Sequence, residues 1–282
     1  INKKVKLYVL NGLESHNISL FTRYNLIPII NSKEDLRIIT KNTNSLKFGI
    51  HIETGLNRLG VDIKDIDKEI FKASNLEIII SHLASPDELK NKYNLIQNRK
   101  FSKSFKLFKD IKYKSLCSSA GIMNNQIYHY DMVRPGISLY GCADNINLLK
   151  RFKIQPVIKL KGKILQIKEI NSNEYIGYSQ TYKTKNKITV AIIGIGYADG
   201  VSRLLSNNGK VYYKKESFNM IGRISMDSIT VDISKSKNKL KCGTYLEIIN
   251  NNFTAEKMAL KCNTISNEIL TSISNRVKRV YI

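Results

Sequence analysis

Residues 131–141, DMVRPGISLYG, decide how this chain is read. The run reads as an apolar strand (Met132, Val133, Ile137, Leu139, Tyr140) with one cation, Arg134, in its middle. Arginine is permanently charged and is almost never fully buried without a partner. A strand this apolar on both sides of Arg134 therefore implies an acceptor or a ligand for the guanidinium. Pro135 restricts Arg134 to an extended backbone, and Gly136 allows a second backbone or a ligand to come close. Taken alone, the stretch is better explained by an arginine reaching out to solvent from an edge strand, and it is the rest of the chain that reverses the balance.

The chain has 282 residues, 42% of them hydrophobic, enough for one large domain or two ordinary ones with real cores. It contains no apolar run of membrane-spanning length and no secretory leader pattern. Cys117, Cys142, Cys242 and Cys262 are scattered without the paired spacing of a zinc site, so they read as reduced thiols of a cytoplasmic protein with no metal site. The net charge of +23 raises the possibility of a nucleic-acid partner. The lysines are spread over every segment, however, with no basic block interleaved with aromatics. Neither a nucleic-acid nor a membrane partner is expected.

Upstream of Arg134 the chain alternates strand and helix. KLYVL (6–10), LIPII (26–30), LKFGIHIE (46–53), LEIIISHL (76–83) and KSLCSS (114–119) read as strands, with DMVRPGISLYG closing the series. Between them, Ser32 and Asp35 make a capping-box-like helix start, Ile66, Ile70 and Phe71 recur at helical spacing over 64–74, and Pro86 opens a basic helix expected to run to about 110. About six βα-type units with nearly continuous apolar strands predict a parallel sheet covered by helices, a partial (β/α)8 TIM-like barrel. Arg58, His82, Ser118, Ser119 and Arg134 all fall at or just after the C-terminal ends of these strands, the face where such barrels place their sites. From about residue 150 the pattern becomes short strands separated by Asn, Gly, Ser and Lys turns. The expected organisation is α/β plus β: an incomplete barrel over 1–145 and a mainly antiparallel β domain over 150–282.

HIETGLNRLG (51–60), SHLASPDE (81–88), SSAGI (118–122), DMVRPGISLYG (131–141), IGYSQTY (176–182), IGIGYADGVSR (193–203), IGRISMDSITVD (221–232) and TISNEI (264–269) follow one another in the order found in the alanine racemases, which the chain resembles along essentially its whole length. The resemblance implies an isomerase that interconverts L- and D-alanine with pyridoxal 5'-phosphate and supplies D-alanine for peptidoglycan. It implies that Arg134 meets the pyridine nitrogen of the cofactor and that His82 packs on the ring. Ser118 and Ser119, with the backbone of Gly136 and Ile137, are implied to hold the phosphate. Tyr178 matches the tyrosine that exchanges the proton at Cα, and Arg58, Tyr197, Met226 and Asp227 match groups lining the substrate. In the family, Tyr178, Met226 and Asp227 reach the site from a partner subunit, so a homodimer with shared sites is expected.

Some positions depart from the pattern. His51 stands where the family usually has a lysine that steadies the substrate arginine, Ser118 replaces an asparagine, and Asn267 replaces a tyrosine that contacts the phosphate. The Schiff-base lysine motif of the family is not found among these residues, and at about 30 residues per βα unit it would lie roughly 60–80 residues upstream of Ile1. The sequence thus carries two expectations: a racemase chain inactive without that segment, or a non-catalytic relative that binds an anion or a partner. Decarboxylases of similar build place an acidic residue on the pyridine nitrogen, which Arg134 argues against.

Overall fold

The computed structural model describes residues 5–41, 46–67, 70, 73, 75–108, 111–143 and 145–281. The chain divides into two compact units, Ile1–Gly136 and Ile137–Ile282.

In the first unit, β1 (Leu7–Val9), β2 (Leu26–Ile30), β3 (Phe48–His51), β4 (Leu76–Ile80) and β5 (Tyr113–Ser115) pair in sequence order, every neighbour parallel. α1 (Ile18–Tyr24), α2 (Lys33–Thr40) and α3 (Tyr93–Phe105) connect them, giving half of the barrel the sequence predicts. Both faces of the sheet are apolar. Ile30, Ile50 and Ile79 pack with Phe48 and Phe101 on one side, while Ile29, Ile78 and Ile80 pack with Tyr8, Tyr113 and Met132 on the other. This two-sided burial is why the strands read as continuous apolar runs rather than alternating ones. The start of α2 is capped as expected, the Asp35 amide donating to Ser32 Oγ at 3.0 Å.

Two local expectations are corrected, and a third is tested only in part. Residues 131–141 do not form a sixth strand: only Arg134 pairs, in a single parallel bridge with Ser118, and Ile137–Tyr140 turns into a 310 helix. Pro135 has no N–H to continue the ladder, so pairing stops where it begins. The basic helix starts at Tyr93, not Pro86; residues 85–92 are turns closed by Asn94, whose side chain donates to Ser85 O at 2.8 Å. The helix expected over 64–74 lies partly outside the described residues, and Ile63–Asp65 is a 310 turn.

The second unit contains a six-stranded antiparallel sheet. β6 (Leu160–Ile170), β9 (Ile188–Ile193), β10 (Lys210–Tyr213), β11 (Glu216–Asn219), β12 (Ile229–Asp232) and β13 (Tyr245–Ile249) run in the order β11-β10-β13-β6-β9-β12. A bridge between Met220 and Val231 curls the two edges toward each other. The short hairpin β7 (Tyr175–Ile176) and β8 (Tyr182–Lys183) stands apart from this sheet. The core of Ile164, Ile193, Val211, Val231, Leu246 and Ile248 is capped by Met258 and Ile269 from two helices, Ala255–Lys261 and Ser266–Thr271. The turn-rich composition of this half conceals those short helices. Ile137 packs against the same core, so the division between the units falls inside the 131–141 stretch.

Gly141 has φ +80°, and a Cβ there would lie 2.2 Å from Gln155 O and 2.7 Å from Pro156 Cα. Gly141→Ala combines a left-handed backbone with a clash against main chain that cannot rotate away. Urea denaturation should show a loss of more than about 2 kcal/mol; an unchanged midpoint would contradict this placement of Gly141.

Candidate active site

Polar side chains follow the C-terminal ends of the parallel strands: Asn31 after β2, His51 ending β3, Ser81 and His82 after β4, and Ser115 ending β5. Arg134 joins them through its bridge to Ser118, its amide donating to Cys117 O at 3.0 Å. Among the described residues its guanidinium is held without any carboxylate. Nη1 donates to Ser115 O at 2.9 Å and to Ser115 Oγ at 2.6 Å, and Nη2 donates to Ser81 O and to Leu116 O at 3.3 Å. The Nε–H makes no hydrogen bond to any described residue. Burial brings the Arg134 pKa down to about 10, so the group stays charged at neutral pH.

Nη2 also lies 3.4 Å from His82 Nδ1. A guanidinium only donates, so this contact requires Nδ1 to be the acceptor and the His82 proton to sit on Nε2. The electrostatics agree: burial, and then the Arg134 and Arg58 charges, push His82 down to about 4. His51 is likewise pushed to about 4 by burial and the same two arginines. Its tautomer follows from Asn31, whose Nδ2 donates to Leu10 O at 2.7 Å and Ile29 O at 3.1 Å. That leaves Asn31 Oδ1 to accept from His51 Nδ1–H at 3.0 Å, with the Nε2 lone pair uncommitted to Asn31.

Arg58 is exposed on the loop after β3. The Glu53 carboxylate ties that loop internally through the amides of Gly55 and Asn57. Gly60 N donates to Asn31 O at 3.1 Å and Val61 N to His51 O at 2.7 Å, which pins the loop to the strand ends. Ser119, 3% exposed, accepts the Gly136 amide on Oγ at 2.8 Å. A Cβ on Gly136 would meet nothing within 4 Å, so the backbone there faces open space. The first unit thus gathers His82, Ser118, Ser119, Arg134 and Gly136, with Arg58 on the adjoining loop; Ile137 begins the second unit.

In the second unit, Tyr197, Met226 and Asp227 come together on two loops. Tyr197 N donates to Ser225 O at 3.1 Å and Ala198 N to Met226 O at 3.0 Å. Arg276 pairs with Asp227 and also with Asp199, 3.4 Å from its Nε. Tyr178 sits on the turn between β7 and β8 and is 68% exposed; Tyr197 and Met226 are 44% and 53% exposed. Asn267 is exposed on the last helix.

Sequence reasoning missed Ser81, Ser115 and Arg276. The first two matter here mainly through backbone carbonyls, which no residue type announces. Arg276 lies in a C-terminal segment with no motif to distinguish it.

The neutral histidines make stability depend on pH. Each has a folded pKa below its ordinary 6.5, so the unfolded chain binds more protons between pH 6.5 and 4. Stability is complete above pH 6.5 and should fall as the pH drops toward 4. The buried His51 contributes on the order of 3 kcal/mol to that loss. In urea titrations at pH 7 and 4.5, His51→Gln should shrink the difference between the two pH values; an unaltered difference would contradict the assigned protonation state.

Comparison with known proteins gives a consistent family. The model of the alanine racemase N-terminal domain matches residues 2–144, and that of the C-terminal domain matches residues 157–281. Among curated proteins, the chain is 39% identical to an alanine racemase of Rickettsia canadensis, over 98% of this chain and 78% of that one. Among solved structures, an alanine racemase of Bartonella henselae with covalently bound pyridoxal phosphate superposes with a TM-score of 0.91 at 32% identity, covering 100% of this chain and 80% of that one. An alanine racemase of Bacillus anthracis with bound L-Ala-P superposes with a TM-score of 0.85 at 26% identity, covering 97% of this chain and 75% of that one.

Proposed function

The chain belongs to the alanine racemase family, and from that premise we propose that it carries the pyridoxal 5'-phosphate and substrate groups of an alanine racemase that provides D-alanine for peptidoglycan. The observation that carries this reading is the Arg134 guanidinium, fixed by backbone carbonyls and set against His82, with one N–H left over. The donor set fits the cofactor. Arg134 supplies a cationic donor for the pyridine nitrogen, His82 a neutral ring, and Ser119 with the unobstructed Gly136 backbone a place for the phosphate. Ser118 and the Ile137 amide extend that phosphate cradle.

Pyridoxal phosphate, when bound, draws electron density from an amino acid and so makes its Cα–H acidic. Arg134 holds a proton it does not release at neutral pH, so it would donate a hydrogen bond to the ring nitrogen without protonating it. An unprotonated ring would take up less charge, which would favour proton return to Cα over side reactions. Tyr178 takes or gives that proton on one face of Cα. Arg58 binds the substrate carboxylate, and Tyr197, Met226 and Asp227 line the path. The resemblance brings the residues of the second unit from a partner subunit, so the active form is a homodimer. Their exposure in the single chain supports this. No described helix is long and apolar enough to cross a membrane.

The Schiff-base lysine is not assigned to any residue of this chain. Among the described residues, the lysines near the C-terminal strand ends are paired: Lys33, just after β2, lies 3.0 Å from Asp65, and Lys114, in β5, lies 3.1 Å from Asp131. Borohydride reduction of residues 1–282 with the cofactor should give no pyridoxyl-lysine in this segment, and a trapped lysine would overturn that assignment.

The function itself is tested in two ways. Titrated with pyridoxal phosphate and followed by 31P resonance, the chain should bind, and Ser119→Ala should weaken binding roughly tenfold. In the protein that carries this chain, L-alanine in deuterium oxide should acquire deuterium at Cα, with Tyr178→Phe slowing this at least about a hundredfold. No binding, or exchange that is indifferent to Tyr178, would contradict the proposal.

A further inference from the structure

We propose that Asn207 and Arg223 are positioning residues for Tyr178: together they latch the turn that carries it, an inference that rests on reading Tyr178 as the proton carrier. The turn has little to hold it from within. The flanking hairpin contributes the pairs Tyr175–Lys183 and Ile176–Tyr182 and, below them, the hydrogen bonds of Thr184 with Asn173 and Glu174, all of them at the base and not in the turn itself. Between them, Ser179 and Gln180 are consecutive non-glycine residues at φ +57° and +52°, the left-handed region that L-residues avoid. The one hydrogen bond inside the turn is Gln180 N to Gly177 O, at 3.3 Å. An exposed turn with that backbone needs ties from outside to keep a single shape.

Ile176 and Tyr182 anchor the two arms by packing with Val190 and Ile221; the polar ties to the turn come from one neighbouring segment and one side chain. Gly177 rests on the backbone of Gly222 and Arg223, where a Cβ would lie 2.8 Å from Arg223 N. Arg223 Nη1 donates to Ser179 Oγ at 3.0 Å, holding the residue that follows Tyr178. Asn207 holds the far end. Its Oδ1 accepts the Gly222 amide at 2.6 Å, and its Nδ2 donates to Thr181 Oγ1 at 3.1 Å. The backbone amide fixes which end of the carboxamide faces which partner. Asn207 thereby clips the end of the turn to the same Gly222 and Arg223 platform that supports its beginning. Asn207 is itself at φ +58°, a conformation asparagine tolerates.

The full chain, with 3-fluorotyrosine at position 178, provides the test through two readouts: the 19F line of Tyr178 and amide deuterium exchange over 178–181. Asn207→Gly eases the backbone conformation but removes the carboxamide. Exchange should rise at least about fivefold and the 19F line should broaden or split, with the melting midpoint unchanged. Asn207→Asp keeps an acceptor for both the Gly222 amide and the Thr181 hydroxyl, and should behave as the parent. Arg223→Met should loosen the turn as Asn207→Gly does. A parent-like line and exchange rate in Asn207→Gly and Arg223→Met would overturn the latch, since a merely conformational role for Asn207 predicts that glycine is harmless. A held turn in a protein whose alanine exchange ignores Tyr178→Phe would instead count against the reading of Tyr178 and leave the latch standing.

Discussion

A guanidinium solvated by main-chain oxygens is the constraint from which the site in the first unit is built. Among the described residues Arg134 has no carboxylate to neutralise it; the carbonyls of Ser81, Ser115 and Leu116, with the Ser115 hydroxyl, take its Nη hydrogens. Hydrogen bonds to a charged group are each worth about 1.5–3 kcal/mol, so this set can hold the cation at a place where water is largely excluded. Carbonyls orient the planar fork as firmly as an acid would, yet they leave the positive charge uncancelled. The parallel sheet makes this possible because β4 and β5 end side by side and present their last carbonyls to the same point.

That uncancelled charge sets the chemistry of its neighbours. His82 and His51 are kept neutral by burial and by the arginines, and in each the proton is assigned to one nitrogen by a partner that can act in only one way. Two imidazoles near a fixed cation thus become a neutral lining rather than two more charges. His51 needs no acidic partner: a neutral ring anchored on Asn31 ends the strand.

Much of the fold was legible in the sequence because the two-sided burial of β2, β3 and β4 writes itself as runs of isoleucine. The 131–141 stretch misled for a physical reason. Its apolar residues serve two units, Met132 and Val133 in the first and Ile137 in the second, and a run that crosses a division looks like one strand. The residues around Arg134 were legible through motif order. The acceptors of its charge were not, since a carbonyl belongs to every residue and only the folded register selects Ser81 and Leu116. The same holds for Asn207, an exposed asparagine in a loop, whose two partners are separated from it in sequence and become neighbours only through the sheet.

The most direct measurement of the central claim is the 15N chemical shift of the pyridine nitrogen in labelled pyridoxal phosphate bound to this chain at neutral pH. A nitrogen that accepts a hydrogen bond from Arg134 and stays unprotonated should resonate in the neutral pyridine range, and should move to the pyridinium range when Arg134→Glu supplies an acid in its place. A protonated ring nitrogen in the unaltered chain, or a shift indifferent to Arg134, would contradict the account.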